Sequence, residues 1–134
     1  MKVAQAFADC GMDEIRASLD GGTLAIYSVA RPASPDKPIE RSGVLATFTF
    51  ASPAFSADAP SDPNGVAAMF VSNPVVASGV GTPGFARAYK SDGSTAVADF
   101  SAGPGDSEVK LSEVSATPNY PIALTKFRLD PSAD

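Results

Sequence analysis

Hydrophobic and polar residues alternate along several short stretches of this chain, and the clearest pair of stretches meets at a tight turn. Residues 85–100 read FARAYKSDGSTAVADF, with the dipeptide Asp92-Gly93 near the centre. This dipeptide favours a two-residue type I′ turn between antiparallel strands. The stretch therefore predicts a β-hairpin in which Phe85 lies opposite Phe100.

That register also predicts which side chains share a face of the hairpin. Phe85, Tyr89 and Phe100 fall on one face together with Arg87. The other face holds Ala86, Ala88 and Val97 with Lys90, Thr95 and Asp99, and we call it the alanine face. Because aromatic rings bury more apolar area than alanines, we expect the aromatic face to be the core face. A charge on that face must snorkel or find a carboxylate, so Arg87 is predicted to be structural.

Other alternating stretches predict further short strands, separated by segments rich in proline and glycine. The predicted strands outside the hairpin cover residues 23–29, 43–50, 66–71, 108–115 and 121–129. The predicted long loops cover residues 31–42, 51–65 and 72–83, with a turn at 101–106. Simple alternation places Leu45 and Phe48 on opposite faces of one strand. It likewise places Leu124 and Phe127 on opposite faces of another strand. Six or seven short strands at this spacing are typical of an antiparallel β-sandwich or a partly open barrel.

One segment before the first long strand has a helical pattern. Asp13–Asp20, DEIRASLD, begins with acidic residues that suit a helix start, and Gly21 suits the left-handed residue after its end. Ile15 and Leu19 are four residues apart and share a face. The predicted fold class is therefore all-β with one short N-terminal helix.

Length and composition limit the number of domains and the kinds of reactive site that the chain can form. With 134 residues, one domain over 1–134 is expected, with 1–12 as a flexible arm and 130–134 as a loose tail. The chain has no His and a single Cys, Cys10, so the commonest acid–base, metal-ligand and disulfide chemistries lack their residues. We therefore predict a protein that is not an enzyme and that binds no cofactor or metal.

Charge gives little information about partners. The net charge is −5, and lysines and arginines form no cluster that would predict nucleic-acid binding. No apolar run reaches the length of a membrane span, and the first residues make a poor signal peptide. The pattern predicts a protein made in the cytoplasm, with neither nucleic acid nor membrane as a partner.

Two local motifs resemble ligand sites only superficially. Asp58, Asp62 and Asn64 lack the aspartate ladder and final glutamate of a calcium loop, so turn-forming residues are the better interpretation. The glycine-rich run 79–84 precedes no predicted helix that could offer its N-terminus to a phosphate.

Two functions of other classes stay open. Four acidic residues could pair in space as glycosidase carboxylates, although solvated turn and strand-edge acids are the simpler interpretation. They are Asp58, Asp62, Asp99 and Glu108. A glycan-binding module is also possible, but three Tyr and no Trp leave few rings for stacking on sugars.

The order of several short motifs resembles a family of small structural proteins encoded in the virion gene cluster of tailed bacteriophages. The motifs are Ile26-Tyr27, Arg31-Pro32-Ala33, the strand Gly43–Thr47, Pro53-Ala54-Phe55, the strand Phe85–Arg87 and the turn Ser91-Asp92-Gly93. The chain departs from this family after the hairpin, because Phe100 follows Asp99 where the family has a glycine.

The resemblance implies a virion component, best described as a capsid decoration (cement) protein on the outer surface of the shell. Its implied partners are the major capsid protein and further copies of itself, as a homotrimer. A tail or fibre-associated structural protein is the alternative within the same class.

Two segments are candidate contacts for such partners. The N-terminal segment carries a few apolar anchors, and the loop 31–41 is stiffened by prolines and carries both signs of charge. The candidate interface residues are Lys2, Val3, Phe7, Arg31, Asp36, Lys37 and Arg41.

Overall fold

Short β-strands make up most of the regular structure. A computed structural model describes residues 2–7, 12–28, 44–52, 70–71, 75–92, 95–103, 109–112 and 116–127. The strands are β1 (Lys2–Val3), β2 (Thr23–Tyr27), β3 (Val44–Thr49), β4 (Val75–Val76), β5 (Phe85–Tyr89), β6 (Ala96–Gly103), β7 (Val109–Leu111), β8 (Pro121–Ile122) and β9 (Leu124–Phe127). A 3₁₀ turn covers Gln5–Phe7, and a seven-residue helical segment, α1, covers Met12–Ser18. The mainly β class predicted from the sequence is confirmed.

One large sheet contains seven of these strands. Its order is β3-β2-β5-β6-β7-β9, and β1 pairs with β6 beside this path. Neighbouring strands are antiparallel except for β6 and β7, which run parallel. The remaining strands, β4 and β8, form a separate two-stranded ribbon.

The large sheet curls into a half-barrel, and the chain around β4 runs along its β3 edge. The Val71 amide donates to the Thr49 carbonyl at 2.8 Å, and the Ser78 amide donates to the Leu45 carbonyl at 2.8 Å. The ribbon strand β8 continues almost directly into β9, at the opposite edge of the sheet. The two edges are thus linked through the ribbon.

Aromatic rings fill the space inside the curl. Phe50, which follows β3, lies 5.9 Å from Phe127 of β9 between ring centroids, and Phe70 contacts both rings at 4.9 Å and 6.0 Å. Phe100 of β6 meets Phe127 edge-on at 5.1 Å. Phe50, Phe100 and Phe127 belong to the main hydrophobic core, which also contains Leu19 after α1, and Phe70 packs against this core.

The predicted hairpin is present as β5 and β6, but its register differs from simple alternation. Tyr89 lies opposite Ala96, as predicted, whereas Ala88 lies opposite Ala98. Val97 is therefore an extra residue, a β-bulge, and every later pair is displaced by one. Gly93 of the predicted turn lies outside the described residues.

This bulge corrects the predicted faces. Phe100 pairs with Ala86 and lies in the main core, while Phe85 belongs to a separate small cluster with Tyr27. The larger core therefore lies on the alanine face, and the prediction that the aromatic face covers it was wrong. Phe85 and Phe100 are both fully buried, as expected, but on opposite sides of the sheet.

Two further irregularities correct the predicted faces elsewhere. Leu45 has no partner of its own in the pairing of β3 with β2, so Leu45 and Ala46 are both buried in the main core. Thr125 is likewise skipped in the pairing of β9 with β7, and Phe127 joins Leu124 in the same core. A slip of one residue reverses the faces that alternation assigns.

Two predicted irregular segments contain strands. The loop predicted over 72–83 includes β4, and the turn predicted over 101–106 begins inside β6, which continues to Gly103. The loop 31–42, most of the loop 51–65 and the tail 130–134 lie outside the described residues.

The junction between α1 and β2 depends on two glycines. Gly21 has φ of 71°, the left-handed conformation that the sequence predicts for this position. A Cβ atom on Gly22 would overlap the Tyr89 carbonyl oxygen, so any side chain there would push β2 away from β5.

Candidate functional site

A buried ion pair lies at the centre of the sheet face opposite the main core. Arg87 of β5 and Asp99 of β6 are direct register partners because of the bulge at Val97. The Arg87 Nε donates to Asp99 Oδ1 at 2.7 Å, and Nη2 donates to Oδ2 at 3.1 Å. Arg87 is only 4% exposed and Asp99 is 0% exposed. The contact is therefore a bidentate, charge-assisted pair inside the protein.

The electrostatics of the pair follow from its burial and its geometry. Burial by itself would lower the pKa of Arg87, but the hydrogen bonds and negative charge of Asp99 outweigh this and raise it. Two charges removed from water require such mutual hydrogen bonding to persist. The geometry agrees with the structural role predicted for Arg87.

Two tyrosines and a phenylalanine extend this cluster along the same face. The hydroxyl groups of Tyr27 and Tyr89 are 2.7 Å apart and share a hydrogen bond. The Tyr27 ring stacks on Phe85 at 5.1 Å, and the Arg87 Cζ lies 5.7 Å from the centre of the Phe85 ring. Burial, followed by the hydrogen bond with Tyr89, raises the pKa of Tyr27. Tyr27 therefore stays protonated at neutral pH.

This arrangement joins the polar groups of the sheet face to one another. The guanidinium of Arg87 is engaged by Asp99, and Tyr27 is engaged by Tyr89. The structure thus gives Asp99 a structural partner, while Glu108, Asp58 and Asp62 lie outside the described residues.

The candidate contact residues fall into two groups. Lys2 and Val3 form β1, which pairs with Asp99 and Ala98 of β6, and Phe7 is partly buried against the main core. Lys2 and Val3 are thus part of the sheet, and Phe7 lies in the 3₁₀ turn that follows. The predicted contacts of the loop 31–41 lie outside the described residues. Cys10 also lies outside them. These loop contacts are Arg31, Asp36, Lys37 and Arg41.

Among the residues that the structure describes, no three His, Cys, Asp or Glu side chains gather as a group that could hold a metal ion. No helix in the described ranges is long and apolar enough to cross a membrane.

A surface without formal charge lies along the β3 edge of the half-barrel. The three longest runs of the chain that lack Asp, Glu, Lys and Arg are 42–57, 63–86 and 114–125. The described parts of these runs, which are 44–52, 70–71, 75–86 and 116–125, lie side by side. The second run bonds to the first through Val71 and Ser78, and it bonds to the third through the β4–β8 ribbon.

Several large apolar side chains are exposed on this surface. Val71 is 70% exposed, Val76 62%, Val80 75% and Tyr120 66%. We call the exposed side chains on residues 44–49, 70–71, 75–82 and 116–121 the uncharged outer surface. Single exposed apolar residues are ordinary, whereas a contiguous exposed apolar patch is a candidate binding surface.

Sequence reasoning missed this surface because alternation directs attention to strands. The signal that could have found it is the distribution of charge along the chain. Charged residues make up 19% of the sequence, yet they are absent from three long runs. Which of these runs touch one another is decided only by the fold.

Comparisons of the chain with protein-family models, with curated proteins and with solved structures find no match in any of the three.

Proposed function

We propose that this protein is a bacteriophage virion structural protein, and specifically a capsid decoration protein that binds and stabilises the major capsid shell. The observation that carries the proposal is the uncharged outer surface, with Val76, Val80 and Tyr120 more than half exposed. Charged residues are depleted at the centres of protein interfaces, and aromatic residues are enriched there. The order of family-like motifs in the sequence adds the virion context.

The mechanism of such a protein is binding without chemistry of its own. A decoration protein ties neighbouring shell subunits together, and several weak contacts made at once give high avidity. The proposed particle is a homotrimer on the capsid surface, since repeated identical contacts in a symmetric shell close into rings. The proposal involves no cofactor, no nucleic acid and no membrane.

The finer architecture belongs to the same proposal. We propose that the curled sheet acts as a partly open barrel or sandwich, with a short N-terminal helix packed at one end. Ile15 and Leu19 support this arrangement because both are buried in the main core. A rigid body of this kind presents its loops and edges with little loss of conformational entropy on binding.

Purified phage particles provide the direct test. Heads and tails are separated, and the protein is quantified in each fraction against the major capsid protein. The proposal expects the protein on heads, at a copy number that is a simple fraction of the capsid subunits. Purified protein added to undecorated heads should bind until the same ratio is reached.

A matched pair of variants sharpens this test. Tyr120→Glu places a charge on the uncharged outer surface, and Ser91→Glu places the same charge at the turn of the β5–β6 hairpin. Loss of head binding by the first variant alone supports the proposal. Recovery of the protein only from tails would instead favour the tail or fibre alternative.

A second candidate function is a glycan-binding module. The observation that favours it is Tyr120, whose exposed ring could stack on the apolar face of a sugar. Binding of cell-wall polymers or glycans that Tyr120→Ala abolishes would support this candidate, provided that head binding is absent.

A further inference from the structure

We infer that Asp92 is a site of slow backbone isomerisation, and that Thr95 holds this modification back. The inference concerns the exposed end of the β5–β6 hairpin and is independent of the proposed function. In this chain Gly93 follows Asp92. An aspartate followed by a glycine is open to this reaction, because glycine has no side chain to obstruct its own backbone nitrogen.

The reaction needs only the chain and water. The Gly93 nitrogen attacks Cγ of the protonated Asp92 carboxyl group, and a C–N bond forms. The carboxyl hydroxyl leaves as water with the amide proton, which gives a five-membered cyclic imide. Water then adds to one of the two imide carbonyl groups. Opening at the α-carbonyl sends the backbone through Cγ and leaves a free α-carboxylate, so one water is lost and one is regained.

Thr95 holds the Asp92 carboxylate in an arrangement that opposes ring closure. The Thr95 backbone amide donates to Asp92 Oδ1 at 2.8 Å, and the Thr95 hydroxyl donates to Oδ2. Both oxygens therefore accept hydrogen bonds from the same residue. Ring closure instead needs one oxygen protonated and the carboxyl group turned towards the following nitrogen. The bonds to Thr95 have to be given up first, and this lowers the fraction of chains that can react.

The sheet in turn holds Thr95 in place. The Lys90 amide donates to the Thr95 carbonyl at 3.0 Å and closes the hairpin one residue beyond the Tyr89–Ala96 register pair. The residue that fixes the carboxylate is thus itself fixed against β5. Isomerisation would add one methylene group to the backbone inside this closed turn, so we expect the converted chain to be less stable than the unconverted one.

Ageing of the purified chain at neutral pH tests the inference. Mass spectrometry with electron-transfer fragmentation distinguishes the β-linked residue from ordinary aspartate, and labelling by an isoaspartate methyltransferase measures its amount. A synthetic peptide of residues 88–97 is the unfolded reference. It should convert about tenfold faster than the folded chain, since neither hydrogen bond from Thr95 is held in place there.

Substitutions at Thr95 separate its hydroxyl from its other contacts. Thr95→Val removes the hydroxyl but keeps the backbone amide and the shape of the side chain, and it should convert roughly three to ten times faster than the wild type. Thr95→Ser keeps the hydroxyl and should convert like the wild type. Urea melts check that both variants are folded. Asp92→Glu is the site control, because the larger ring forms far less readily and the signal should disappear.

Four outcomes would overturn the inference. The first is a peptide in which no β-linked product forms, and the second is a wild-type chain that converts as fast as the peptide. The third is a folded Thr95→Val variant that converts as slowly as Thr95→Ser. The fourth is a signal that persists in Asp92→Glu, which would place the modification at another residue.

Discussion

The two faces of the β5–β6 hairpin are stabilised in different ways. On one face, Ala86 and Phe100 join the main core, where close packing of apolar groups supplies the stability. On the other face, Arg87 and Asp99 form a buried ion pair beside the hydrogen-bonded Tyr27. The stability of the first face depends on how well its side chains fill the core. The stability of the second face depends on each polar group keeping its partner.

The bulge at Val97 creates this difference. Without the extra residue, Asp99 would lie on the alanine face and Phe100 on the aromatic face. An isolated carboxylate in the main core and an isolated guanidinium on the other face would both be very costly. One inserted residue thus sorts the apolar ring and the carboxylate onto the faces that can accept them.

Removal of a core ring tests the face that packs against the main core. Phe100→Ala should lower the free energy of unfolding by about 3–5 kcal/mol, since a large buried ring leaves a cavity. Urea denaturation of wild type and variant measures this directly. A loss too small to resolve would mean that Phe100 lies outside the core, contrary to the bulged register.

Removal of one charge tests the face that carries the Arg87–Asp99 ion pair. Asp99→Ala should also cost about 3–5 kcal/mol, because it leaves the buried Arg87 without its carboxylate. The control is the double variant Arg87→Met with Asp99→Leu, which removes both charges and should recover most of the loss. A double variant as unstable as Asp99→Ala would show that packing, and not the unpaired charge, dominates this face.

Loss of a single hydroxyl should have a smaller effect on the same face. Tyr27→Phe removes the hydrogen bond to Tyr89 and should cost about 0.5–1.5 kcal/mol at pH 7. The matched variant Tyr89→Phe removes the same bond from the other side. Effects that differ widely between the two variants would indicate that the rings, and not the shared bond, matter.

The contribution of Tyr27 to the free energy of unfolding should depend on pH. The pKa of Tyr27 is raised in the folded protein relative to an ordinary tyrosine near 10. Its contribution is therefore fully present below pH 10 and is lost as pH rises above that value, because the unfolded chain releases the proton first. Wild type should lose stability more steeply above pH 10 than Tyr27→Phe. Equal slopes in urea melts between pH 9 and 11 would contradict this.

The smallest effect is expected on the uncharged outer surface. Tyr120→Ser and Val76→Thr should each change the free energy of unfolding by no more than about 0.5 kcal/mol, since both side chains are mostly exposed. Thermal or urea melts of the dilute chain measure this. A larger loss would mean that these residues support the fold and are not reserved for a partner.

Much of the strand pattern could be predicted from the sequence. The Arg87–Asp99 pair and the uncharged outer surface could not. The runs around Ile26, Phe48 and Phe85 were identified as strands because their β-branched and aromatic residues are bounded by turn residues. β4 was missed because two residues are too few for a visible alternation. The pairing of Arg87 with Asp99 was missed because period-two counting assumes a ladder without bulges.

The sequence by itself determined the β class, the left-handed Gly21 and the burial of Phe85 and Phe100. These depend on local conformational preference and on the gain from burying apolar area, which act wherever the chain runs. Only the tertiary structure decided which face each ring occupies, which carboxylate meets Arg87 and which charge-free runs adjoin. Those outcomes depend on register between distant strands, and one extra residue in a ladder reverses them.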